Sequence, residues 1–172
     1  MKFRLAVWLV ALGVLAVDYA TKVWAIRELS DGHRIDVIGS HLTLKLVHNE
    51  GAALSILRDY GIGITAFMIV VIAVLVWYHG RASGPYSVVV FGAALGGAFG
   101  NLFDRLARGE GWGRGPVVDM INYGDFFIGN VADIAIVCAA AATIAASWTK
   151  TPMLRPRGTD AEVEQEEDLL GE

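Results

Sequence analysis

Asp119 and Asp133 are the residues best suited to do chemistry in this 172-residue chain. Two neighbouring carboxylates cannot both ionise cheaply, so they share one proton. The charged member takes a proton from water, and the neutral member donates one to a substrate oxygen. Such a pair activates water without a metal or a covalent nucleophile. A serine triad lacks its base, because His33, His41 and His48 crowd one stretch and His79 falls at the far end of another. No metal-ligand spacing and no phosphate-cradling glycine loop is present, so neither metal nor cofactor is expected. Other polar residues interrupt apolar runs: Asp18 and Lys22, four apart, then Asn101, Asp104 and Arg105, then Asn130 with Asp133. An ionised group at bilayer depth costs at least about 2.5–3.5 kcal/mol, so each is a functional candidate.

The elements that must position them are membrane spans. The chain is 55% hydrophobic and 19% charged, which excludes a disordered or nucleic-acid-coating protein. Four runs, about 5–26, 62–80, 86–106 and 127–148, reach the roughly 20 residues that cross a hydrocarbon layer. The first resembles a secretory signal, but Val23-Trp24-Ala25-Ile26 carries it past the only plausible cut, so it reads as a span. The expected fold is an all-α membrane protein, a four-helix bundle. Gly92, Gly96 and Gly100 recur every four residues and predict close helix packing. Cys138, the single cysteine, lies in an apolar run and is expected to be a small buried hydrophobe.

An even number of spans puts both termini on one side. Lys2, Arg4, Arg81, Lys150, Arg155 and Arg157 make that side cytoplasmic by charge density. At 1.5 Å per residue, Asp18 lies roughly 12 Å, Asn101 about 7 Å and Asp133 about 9 Å below helix ends on the opposite, outer face. Asp119 and Asp125 belong to that same surface. The polar groups therefore converge at one level and define one site, open to the outside.

The outer loop 27–61 alternates polar and apolar residues over His41–Leu46, turns at Asn49-Glu50-Gly51 and resumes the alternation at Ala52, Leu54 and Ile56. This predicts a small extracytoplasmic β-sheet lying on the bilayer. Residues 1–150 carry 12 basic and 11 acidic groups, so the net charge of −4 belongs to the tail. That tail, 151–172, with its prolines and glutamates, is expected to be disordered, acidic and cytoplasmic.

Several residues admit a plainer role. Asp18 and Lys22 could be a structural ion pair or a substrate-positioning pair; Asp104 and Arg105 could be a snorkelling pair at the lipid boundary. A small transporter or proton relay through Asp18, Lys22 and Asp133 is the alternative function. It needs polar groups through to the other side, where the second span offers only Thr65 between Ile62 and Trp77.

Five motifs in order, Asp18-Tyr19-Ala20-Thr21-Lys22, Asn49-Glu50-Gly51-Ala52-Ala53, Gly100-Asn101-Leu102-Phe103-Asp104-Arg105, Val118-Asp119 and Asn130-Val131-Ala132-Asp133, resemble the conserved boxes of bacterial lipoprotein signal peptidase, or signal peptidase II. The resemblance covers about residues 5–148 and implies an intramembrane aspartyl endopeptidase of the bacterial cytoplasmic membrane. Its substrate would be a prolipoprotein whose signal peptide is cut just before a diacylglyceryl-modified lipobox cysteine. It implies Asp119 and Asp133 as the catalytic dyad, Asn101, Arg105 and Asn130 as site-shaping residues, Asn49 and Gly51 on a sheet that cradles substrate, and Asp18 and Lys22 as support. Membrane lipid and the precursor are the implied partners, with no nucleic acid, and a monomer is expected. Leu54, Met120 and Ile128-Gly129 depart from the phenylalanines usual in the family, and the Gly-rich stretch 109–116 is longer than its pattern.

Overall fold

The computed structural model describes residues 2–51, 61–109, 111–124 and 126–155. Four helices, α1 (Lys2–Glu28), α2 (Gly61–His79), α3 (Pro85–Ala107) and α4 (Val131–Trp148), are long and apolar enough to cross a membrane. Four strands, β1 (Ile35–Ile38), β2 (Leu42–Asn49), β3 (Val117–Tyr123) and β4 (Phe127–Gly129), form one antiparallel sheet in that order. The predicted restart of alternation at Ala52, Leu54 and Ile56 lies outside the described residues, as do Asp125 and the tail from residue 156.

α3 is the central helix, packed on α1, α4 and α2. Its glycines make that possible, as the spacing predicts. A Cβ at Gly96 would sit 2.5 Å from the Ala11 carbonyl oxygen, and one at Gly97 2.6 Å from that of Ala132, so α1 and α4 approach at backbone distance. A core of Val7, Ala11, Ile72, Val88, Leu95 and Leu102 fills the remaining space.

The sheet differs from expectation. Half of it comes from the segment between α3 and α4, because β3 supplies the pairing edge for β2 and folds back on β4. Span four accordingly begins at Val131 and not at residue 127. Phe127-Ile128-Gly129 is apolar because it is a strand, and Asn130 caps the helix by accepting from the Asp133 backbone N–H at 3.0 Å.

Two further expectations are corrected. Cys138 is exposed on the outer surface of α4, where a small apolar side chain can face hydrocarbon. Thr151–Arg155, assigned to the tail by composition, packs back on the α2–α3 connection: Leu154 bridges Ala82, and the Arg155 N–H donates to the Arg81 carbonyl at 2.8 Å.

Candidate active site

β3 places Asp119 by alternation. Val118 and Met120 turn to the last turns of α1, where they bury with Ala25 and Leu29. Asp119 must then point to the opposite face. Val47 is its cross-strand partner, so Asn49, two residues on, shares that face as a diagonal neighbour. Asn49 Nδ2 donates to Asp119 Oδ2 at 2.9 Å. Its own Oδ1 accepts from the Gly51 N–H at 3.0 Å, closing a turn in which Gly51 adopts φ +119°. A side chain there would also press on Ile64 and the Arg105 guanidinium.

The α4 cap places Asp133. Its Oδ2 accepts from the Asn130 backbone N–H at 3.0 Å, completing a reciprocal capping box. Asn130 Nδ2 donates to Asp119 Oδ1 at 2.6 Å and to Asn101 Oδ1 at 3.2 Å, while Asn101 Nδ2 donates to Asp133 Oδ1 at 2.8 Å. Each carboxylate thus accepts on both oxygens, and Asn130 binds both. Asp119 is 2% exposed, and burial holds its carboxyl well above the ordinary carboxylate range, at about 6. The Asp133 charge pushes the same way, against the donated bonds from Asn49 and Asn130.

Behind this pair lies a charged cluster. Lys22 Nζ donates to Asn101 Oδ1 at 3.0 Å and sits 2.8 Å from Asp18 Oδ2 and 2.8 Å from Asp104 Oδ2, so one ammonium lies between two carboxylates and an amide oxygen. Asp18 Oδ1 accepts from the Ala132 N–H at 2.9 Å in the first turn of α4, which favours an anion. Asp104 also accepts from the Val118 N–H at 3.1 Å and binds Arg108. Asp104 and Arg105 are therefore not a snorkelling pair: both are buried, and Asp104 takes Lys22 and Arg108 as partners. Arg105 donates weakly to the carbonyls of Glu50 and Gly115, and its Nε has no hydrogen-bond partner among the described residues.

Nine of the residues singled out in the sequence, Asp18, Lys22, Asn49, Gly51, Asn101, Arg105, Asp119, Asn130 and Asp133, are thus found together at the end of the bundle that carries the sheet. Asp104 joins them, and its link to α1 and β3 has no signal in linear spacing. Among the described residues no group of three His, Cys, Asp or Glu could hold a metal ion. The arrangement joins two carboxylates through one asparagine, near enough for the Asp133 charge to act on Asp119, and presents a fixed set of amide donors around them.

Such a fold and site define a multi-pass membrane protein with two carboxylates, Asp119 buried and Asp133 half-buried, at one end of its helices. The chain belongs to the signal peptidase II family, whose model matches residues 10–149. It is 39% identical to a lipoprotein signal peptidase of Bifidobacterium adolescentis, over 84% of this chain and 77% of that one. It is 40% identical to the lipoprotein signal peptidase of Mycobacterium avium, over 76% of this chain and 72% of the relative. A bacterial membrane enzyme solved by the in meso method superposes with TM-score 0.70 at 27% identity, covering 83% of this chain and 87% of that one. A membrane peptidase of this family is the result.

Proposed function

We propose that this peptidase removes the signal peptide from prolipoproteins by aspartyl chemistry, with Asp119 and Asp133 as the catalytic dyad. The observation that carries the reading is the shared Asn130, which donates to both carboxylates where the sheet meets one end of the helix bundle. In the competent form one carboxyl is protonated and one ionised. The ionised member takes a proton from water as the water oxygen bonds to the scissile carbonyl carbon, and the neutral member gives its proton to the carbonyl oxygen. Collapse of the resulting diol breaks the C–N bond; one proton passes to the leaving nitrogen, and the pair returns to its starting charge. Asn49, Asn101 and Asn130 hold the carboxylates in place, and Lys22 with Asp18 supports them from behind.

The scissile bond is that before the lipobox cysteine carrying diacylglycerol, which sits at a membrane interface. The sheet and the site occupy the outer face of the cytoplasmic membrane, with both termini inside, in line with the basic residues at the opposite helix ends. Gly51 and Arg105 line the approach beneath the sheet. A transporter reading finds no support, since the polar cluster is confined to one end.

The test is incubation of the purified protein with a precursor with and without its diacylglyceryl group. The lipidated form is expected to be cut once, before the cysteine. Equal cleavage of the unmodified precursor, or none of either, contradicts the reading.

A further inference from the structure

α2 and α4 flank α3, and between the three lies an apolar groove of about 400 Å³. Its walls include Leu75 on α2, Ala98 on α3, and Ile136 and Thr143 on α4. Thr143 adds no free polar group, because its hydroxyl donates to the Ala139 carbonyl at 2.8 Å. Ala98 is three residues before Asn101 and Ile136 three beyond Asp133, so the groove's lining begins about one helical turn from the residues of the acid pair. Its other end is closed by Met153 and Leu154, side chains of the segment that follows α4.

That segment is a built strap. The chain reverses at Lys150, which adopts φ 55°, and the Thr151 N–H donates to the Ala146 carbonyl at 2.9 Å. The Ser83 N–H then donates to Met153 O at 3.3 Å, and the Ser83 hydroxyl donates to Pro152 O. Arg81 donates to Arg155 O at 3.2 Å, and the Arg155 guanidinium lies 5.5 Å over the Phe3 ring. The strap thus crosses the end of the bundle opposite the sheet and is held by α1 and by the α2–α3 connection. Nothing in the acid–base chemistry requires it.

From Asp133 to Thr143 is ten residues, about 15 Å of helix. Ten residues of a helix laid along α4, one face in the groove and the other toward lipid, would span the distance from the acid pair to the strap. The apolar core of a signal peptide spans roughly 7–15 residues. We propose that the groove takes the apolar core of the substrate's signal peptide and that Met153 and Leu154 form its floor, setting the length of core accepted. This rests on the reading given under Proposed function. A core longer than the groove must push the scissile bond past Asp119 and Asp133 or displace the strap, whereas a short one reaches the pair without touching it.

The experiment uses lipidated precursors whose apolar cores are lengthened in steps from about 8 to 16 residues, cut by the wild type, by Met153→Ala/Leu154→Ala and by Met153→Trp. For the wild type, kcat/KM is expected to fall at least tenfold beyond about ten to twelve residues. The double alanine variant should move that limit upward by about one helical turn, and Met153→Trp should move it downward, while the 8-residue substrate is cut at wild-type rate by the double alanine variant. Circular dichroism and detergent elution confirm that each variant is folded; if the double variant is not, Met153→Trp alone decides. The same length profile for all three proteins overturns the floor while leaving the peptidase intact, and cleavage of no precursor by the wild type overturns the peptidase reading instead. A profile that does not move, together with a lipid retained by the wild type and lost from Met153→Trp in native mass spectrometry, assigns the groove to an acyl chain and also overturns the proposal.

Discussion

Lys22 Nζ lies 3.0 Å from Oδ1 of Asn101, the oxygen that also accepts from Asn130. A charge on α1 is therefore one amide away from Asp133, and does not sit on a helix face turned from the acid pair. Because Asn101 donates to Asp133 through its other amide atom, Lys22 fixes which way the Asn101 amide is turned.

Lys22→Met should accordingly harm both stability and catalysis. It leaves Asp18 buried without its cation and Asp104 with Arg108 alone, and breaking a buried pair in this way costs about 3–5 kcal/mol. Asp18→Asn keeps much of the geometry and should lower thermal stability more than turnover per folded molecule. Thermal unfolding in detergent beside active-site titration separates the two. Equal loss of turnover per folded molecule in both variants would refute the division.

Gly96 tests the packing argument. Gly96→Ala sets a methyl 2.5 Å from the Ala11 carbonyl oxygen and should destabilise by about 1–3 kcal/mol, as overpacking does. Gly13, with open space around its missing Cβ, is the control, and Gly13→Ala should be neutral or stabilising. Unfolding in the same detergent reads both; equal stabilities would mean that α1 and α3 are not in backbone contact.

Asp119 should titrate near pH 6. Its pKa is raised in the fold from 3.8, so the folded state holds the proton more tightly than the unfolded chain. The corresponding stability is fully present below about pH 3.8 and is lost as pH rises through about 6. Infrared spectra of the protonated carboxyl band give the midpoint. Asp133→Asn removes a charge that raises it and should move the midpoint down, whereas Asn49→Ala removes a bond that lowers it and should move the midpoint up. Opposite signs would contradict the assigned contacts.

The Gly-rich segment after α3 offers a fourth test. Thr65 Oγ1 donates to the Gly113 carbonyl at 2.7 Å, tying that segment to α2 while Trp112 remains exposed. If it closes with the sheet over substrate, spin labels at Trp112→Cys and His48→Cys, in a Cys138→Ala background, should show a narrower distance distribution with a bound peptide inhibitor. Thr65→Val should broaden the distribution without inhibitor. An unchanged distribution in both experiments argues against a clamp.

Polar residues in apolar runs were legible because hydrocarbon makes them conspicuous, and counting residues from helix ends placed Asp18, Asn101 and Asp133 at a common level before any contact was known. The β3–β4 hairpin was not, because hydropathy does not distinguish an apolar strand from the start of a span. The signal that separates them was present: Asn130 followed three residues later by Asp133 is a helix cap, which forces the span to begin after Gly129. Pairing Asp104 with Arg105 followed from adjacency, yet neighbours on a helix diverge by about 100°, and Asp104 turns to α1. The strap eluded composition because it is held at backbone carbonyls of Pro152, Met153 and Arg155 and at the Arg155 N–H, and backbone groups leave no pattern in the strap's own side chains.

The central claim is that Asp119 and Asp133 share the chemistry. The most direct measurement is turnover of a lipidated prolipoprotein by purified, folded Asp119→Asn and Asp133→Asn, each with and without EDTA. Asparagine keeps the size of the side chain and removes the exchangeable charge, so cleavage should fall to background in both variants, while EDTA leaves the wild type unaffected. Near-normal turnover by either folded variant, or wild-type activity lost in EDTA and restored by zinc, would contradict the account.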